Sequence, residues 1–272
     1  MRSRSIVALV AAAVTTGLPL LLAGGPAAAD IPLGDVASRS CDLAASPVVC
    51  PRADLHGQDL RRADLAQAVL HHADLRDTSL IGVDARGANL RHTRLTDANL
   101  RHANLSRADL TDAYMYIAHL ENANLRHANL TDATLWATTL NGAQLAGANL
   151  TDANLLNTKL RNADLTGATM IGAGGSGADL EDANLTHVNL TRGSLNEGSL
   201  INADLTGADL TGAYLIDSNL SGANLTRGNL TDARLIDANL TGANLTGANL
   251  TGVTWTRATC PNGLEGTYPC TS

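Results

Sequence analysis

Residues 238–252 read Ala238-Asn239-Leu240-Thr241-Gly242-Ala243-Asn244-Leu245-Thr246-Gly247-Ala248-Asn249-Leu250-Thr251-Gly252, one five-residue unit written three times. Working outward, every fifth position from Leu55 to Trp255 gives 41 positions, and Leu fills 36 of them. The exceptions are Ala85, Met115, Met170, Gly175 and Trp255. Two residues before these positions Ala stands in 29 of the 41, and the residue between is Asn 15 times and Asp 10 times. A period of five matches neither the 3.6 of a helix nor the 2 of a strand. On a helix it would smear Leu around the circumference, and no single face would bury it. It suits one short extended segment and a corner, with the Leu and the small residue two before it turned inward. Gly often follows at the corner, as at Gly142, Gly147, Gly167 and Gly212, where tight backbone geometry is needed. Stacked coils then satisfy one another's backbone groups and bury a continuous Leu column.

Composition agrees. The 272 residues include no Phe, two Trp, four Tyr and 25 Gly, with 44% hydrophobic and 17% charged residues. An ordinary enzyme core relies on aromatics for buried area, so a doubly wound or barrel enzyme is disfavoured. The hydrophobic fraction is too high for a disordered tail, and the glycine content argues against a coiled coil.

The Ala-(Asn/Asp)-Leu-x-x units resemble the pentapeptide-repeat family. The resemblance implies an all-β fold, a right-handed quadrilateral parallel β-helix with four pentapeptides per coil. Over residues 53–257 this gives about ten coils and, at ~4.8 Å per strand, a rod about 50 Å long. Val83-Asp84-Ala85 and Ala173-Gly174-Gly175 each lose the central Leu. A kink or local loosening is expected near Gly175.

The ends differ from the middle. Arg2 and Arg4, an apolar run from Ile6 to Ala23 and Ala27-Ala28-Ala29 make residues 1–29 a secretory signal peptide. The alternative is a membrane anchor, which Thr15, Thr16, Gly17 and Pro19 weaken. The expected product is secreted, without stable membrane insertion. Cys41 and Cys50 precede the repeats, and Cys260 and Cys270 follow them. Four cysteines allow three pairings; local pairing, Cys41–Cys50 and Cys260–Cys270, is favoured because the repeats separate the two groups. Zinc binding is disfavoured by the absence of C-x-x-C spacing and of a nearby His. Segments 30–52 and 258–272 are therefore expected to be disulfide-closed caps over the open edges of the rod.

Were the coil twenty residues long, outward residues i and i+20 would stack. Asn and Asp then form columns such as Asn89, Asp109, Asn129 and Asn149, able to hydrogen-bond along the rod. Thr111, Thr131, Thr151 and Thr191 share another column. Regular Thr arrays suggest ice binding, although Thr also simply suits a strand end beside a corner. Asp112, Asp132 and Asp152 stack as well; such a column either binds a cation such as calcium, raises its pKa values or splays into solvent. His72 stacks on His92 with no third ligand in sight. Tyr116, Trp136 and Leu156 form an outward column, with Tyr114 across Met115 and Ile117 at the adjoining corner. That patch is a candidate contact surface for a protein or glycan partner, or for a second copy in a homodimer.

No nucleophile elbow, phosphate loop or acid pair stands in a recognisable setting, so neither an enzyme nor a cofactor is expected. The best-understood members of the family mimic B-form DNA and inhibit DNA gyrase. A duplex about 50 Å long carries roughly 29 phosphates at one charge per 1.7 Å. Loss of residues 1–29 removes two arginines and no acids, leaving a net charge of −9, about a third of that. Export also separates the protein from a cytoplasmic gyrase, so DNA mimicry ranks low. The acidic balance disfavours nucleic acid itself as a partner. The expected function is that of an exported, non-enzymatic scaffold or binding module.

Overall fold

The computed structural model describes residues 43, 45–61, 63–266 and 270. The expected leader, 1–29, and Cys41 lie outside the described residues. From Val49 onward, parallel bridges join residue i to residue i+20, beginning with Val49↔Val69 and ending with Asn239↔Thr259. The coil is therefore twenty residues long and four-sided, with a turn every five residues.

Each side uses the five residues in the same way. The central Leu donates its N–H across the ladder, as Leu125 does to the Gln144 carbonyl at 2.7 Å. The residue before it donates in the opposite direction, as Asn124 does to the Ala103 carbonyl at 2.8 Å. The corner closes when the N–H three residues beyond the Leu returns to the Leu carbonyl, as from Ala73 to Leu70 at 2.9 Å. The second corner residue lies at positive φ, the type II turn signature, near 67° at Gly142 and 57° at Asp132. Gly, Asn, Asp and His gather there because they tolerate that conformation best. Since the corner consumes two residues in five, the sides are single-residue bridges rather than continuous strands. Two-residue strands occur only at the C-terminal end of the described chain: β1 (Ala258–Thr259) and β2 (Glu265–Gly266) pair antiparallel.

The interior is the Leu column with the small residues two before it, buried from Leu55 to Leu245 and ending on Trp255. Where Thr replaces the inward Ala, its hydroxyl is satisfied: Thr138 donates to the Met115 carbonyl at 2.6 Å and Thr158 to that of Leu135 at 2.7 Å. Thr259 bridges Asn239 on one edge and pairs with Glu265 on the other, so the β1–β2 hairpin covers that edge of the last coil. Cys260 and Cys270 are bonded with Cα atoms 5.3 Å apart, and Cys50 is also disulfide-bonded.

The loosening expected at Gly175 is absent. Leu155 donates to the Gly174 carbonyl and Gly175 to that of Ser194, both at 2.6 Å, so the ladder runs through unbroken. A Cβ on Gly175 would lie 2.8 Å from Leu195 Cδ2 and 3.3 Å from the Ser194 carbonyl oxygen. The neighbouring coils have closed over the missing side chain. At Ala85 they have not: an all-apolar void lined by Leu65, Leu70, Ala85, Leu90 and Leu105 remains. Restoring the consensus at Gly175 should therefore harm the protein. Gly175→Leu is expected to destabilise by about 1–3 kcal/mol through overpacking. Ala85→Val should be neutral or stabilise by up to ~1 kcal/mol; urea melts of both variants check the contrast.

Candidate binding face

The side whose inward column runs Leu55, Leu75, Leu95, Met115 and on in steps of twenty carries most of the outward aromatics. Tyr116 and Trp136 occupy the first corner position of successive coils, so the ladder itself sets their rings together. Their centroids lie 4.8 Å apart at a tilt of 39°. Trp136 is nevertheless 42% exposed and Tyr114 53%, which excludes both from the core. Leu156 follows Trp136 in the same column and is half-buried. Tyr114 stands on the flat of the side, bridged to Thr134. The structure thus brings Tyr116 and Trp136 into contact and sets Tyr114, Ile117 and Leu156 around them.

Ile117 is the unusual member. It occupies the second corner position at φ 57°, the one β-branched residue at positive φ among the described residues. That conformation is costly for a branched side chain, yet Ile117 stays exposed rather than buying packing inside.

The acidic column shares one backbone conformation. Asp112, Asp132 and Asp152 all occupy the second corner position, at φ 55°, 57° and 55°. Asp112 faces His92 at 3.5 Å, and among the described residues no group of three His, Cys, Asp or Glu is arranged to hold a metal ion. His72 and His92 do stack, with centroids 4.6 Å apart.

The Asn and Thr columns prove to be one network, which reading them separately missed. Asn129 Oδ1 accepts from the Thr131 backbone N–H and from its hydroxyl, the latter at 2.7 Å. Asn149 Nδ2 then donates to Thr131 Oγ1 at 2.9 Å. The same pattern recurs from Asp209 and Thr211 to Asn229. Each such hydroxyl donates once and accepts once within the ladder, which leaves it one acceptor lone pair toward solvent.

Charge gathers toward the two ends of the aromatic side. Arg76 bonds Asp74 through Nε and Nη2, at 2.8 and 2.6 Å, and Arg94 Nη1 lies 3.5 Å from the same carboxylate. The Arg76 hydrogen bonds hold Asp74 below its ordinary value of 3.8 in spite of partial burial. Further along the side, Arg234 packs over the Tyr214 ring at 5.4 Å. Among the described residues no helix is long and apolar enough to cross a membrane.

The family model for pentapeptide repeats matches residues 52–84, 78–115, 118–143, 128–167, 176–212 and 213–252, in 8 copies. The chain belongs to the pentapeptide-repeat family. HetL, a pentapeptide repeat protein involved in heterocyst differentiation regulation from the cyanobacterium Nostoc sp. strain PCC 7120, is 33% identical. That match covers 80% of this chain and 91% of HetL, with a TM-score of 0.45. QnrB1, a plasmid-mediated fluoroquinolone resistance protein, is 18% identical over 75% of this chain and 92% of its own, with a TM-score of 0.46. A pentapeptide repeat protein of the Arabidopsis thaliana thylakoid lumen is 34% identical over 38% of this chain and 69% of its own, with a TM-score of 0.26. No curated protein matches the chain.

Two outcomes follow for this pentapeptide-repeat chain. Ile117→Asn should relieve the corner and stabilise the fold by roughly 1 kcal/mol, raising the urea midpoint; an unchanged or lower midpoint contradicts the strain. Asp74 has a depressed folded pKa, so its stabilisation is present above its ordinary value and is lost as the pH falls through the lowered one. Asp74→Asn should lower stability at neutral pH and flatten the acid limb of a plot of urea midpoint against pH.

Proposed function

We propose that this pentapeptide-repeat protein is an exported, non-enzymatic binding scaffold. In this reading the leader at 1–29 is removed and a right-handed four-sided β-helix of about ten coils remains. Disulfide-closed segments at 30–52 and 258–272 cap it. It recognises a protein or glycan partner through the side that carries Tyr114, Tyr116, Ile117, Trp136 and Leu156.

The observation that carries the reading is the half-exposed Tyr116–Trp136 pair. In a chain with 2% aromatic residues, two large rings held against each other at the surface contribute nothing to the Leu core. Exposed apolar patches of this kind mark contact sites, and rigid aromatics are favoured anchors because they bury much area at low conformational cost. Ile117 supports the same reading, since strain retained at an exposed position is a mark of functional sites. Several acids of the N-terminal half are countered by arginine, in the pairs Arg61–Asp59, Arg76–Asp74, Arg86–Asp84 and Arg91–Asp109. That is a poor imitation of a phosphate backbone.

The test is affinity capture from the culture medium and cell envelope of the producing organism. The mature chain is compared with a Tyr116→Ser, Trp136→Ser variant. A component should be retained by the native chain and lost from the variant while the two melt alike. Equal retention by both, or none by either, contradicts the assignment.

A further inference from the structure

The aromatic side differs from its neighbours in charge as well as in rings. Between Asp97 and Glu197 none of its outward positions carries a charged residue. In the same coils one adjoining side carries Asp112, Asp132 and Asp152, and the other Glu121, Lys159 and Arg161. The uncharged window offers hydroxyls and amides instead, from Thr134, Asn154, Ser176, Ser194 and Asn196.

Its relief is also distinctive. Past Leu156 the side drops to Gly174, where an added Cβ would meet nothing within 4 Å. Beyond this bare floor the side rises again at Tyr214, which is 38% exposed. Tyr114 and Tyr214 are separated by five coils, or ~24 Å at ~4.8 Å per coil. The window is therefore a shallow trough with the Tyr116–Trp136 platform at one end and neutral hydrogen-bonding groups along its floor; Tyr214 lies one coil past it, beyond Glu197 and under the Arg234 guanidinium.

We propose that this trough binds an uncharged, extended β-1,4-linked polysaccharide, laid along the coil stack. The inference rests on the binding-face reading above and names its ligand. Sugar rings present apolar C–H faces that stack on exposed aromatics and hydroxyl edges that meet hydroxyl and amide side chains. A neutral chain loses no ionic hydration on entering a window without charges, whereas an acidic or basic partner would be desolvated there without a counter-charge. The ladder repeats its side-chain positions at a constant step, so a ligand that is itself an extended repeat meets equivalent groups along its length. A helically coiled glycan would leave the line of the window.

The experiment is calorimetric titration of the mature chain with cellohexaose, xylohexaose, maltohexaose and an oligogalacturonate. The variants are Trp136→Ala, which removes a platform, and Gly174→Leu, which fills the floor at a position with room for a side chain. At least one β-1,4-linked neutral hexaose should bind, and each substitution should weaken it by roughly tenfold with the melting temperature unchanged. Absence of binding by both neutral β-1,4 hexaoses overturns the proposal. So does binding indifferent to both substitutions, or equal binding of maltohexaose or the oligogalacturonate. Without hexaose binding, Trp136-dependent capture of a protein leaves the binding face standing and removes only the glycan; the absence of both removes the two together.

Discussion

Each corner of the chain closes through one hydrogen bond, from the N–H three residues beyond a Leu back to the Leu carbonyl, as from Ala128 to Leu125 at 3.0 Å. That closure demands positive φ at the second corner residue, 57° at His127 in this instance. It confines the turn to two residues and leaves three for the side. Repeated four times, it brings the chain back over itself after twenty residues. The ladder bonds then form without any strand longer than a single bridge. The inward column is almost entirely Leu, with a small residue two before it; the chain has no Phe, and Trp enters the column only at the end, as Trp255.

The same constraint frees the surface. Three residues in each unit point outward, and only the second corner position is restricted by its backbone. The others divide between the Asn–Thr network, which ties coils together, and positions that the fold leaves open. On one side those open positions hold Tyr114, Tyr116, Trp136 and Leu156, and the restricted one holds Ile117 in a conformation that it does not favour. Local strain and exposed rings coincide there. In the proposed reading both are kept for contact with a partner.

Much of the architecture was legible because the period is so regular. The inward Leu and Ala follow from counting in fives; the twenty-residue coil, and with it the stacking of Tyr116 on Trp136, comes from the resemblance to pentapeptide repeats. The failures come where counting says nothing about relaxation. Gly175 looked like a weak point because its Leu is missing, but Leu195 from the next coil fills the space; the void lies at Ala85 instead. The stacked acids at 112, 132 and 152 also share a backbone conformation that Asp tolerates, which stacking alone does not show. Ile117 looked like one more apolar neighbour, and only its φ shows it as an exception. The uncharged trough was readable in principle from the columns on either side of Gly174, once that side was followed as a whole rather than for its aromatics alone.

The twenty-residue register is what assembles the candidate face, and cysteine cross-linking measures it directly. Thr134 and Asn154 are bridge partners across the ladder, at a strand spacing of ~4.8 Å that suits a disulfide. Asn149 sits on the preceding side. With Thr134→Cys and Asn154→Cys combined, mild oxidation should give a high yield of the new intramolecular disulfide by peptide mass mapping. With Thr134→Cys and Asn149→Cys it should give none. Closure of the second pair in preference to the first would contradict the stacking on which the face depends.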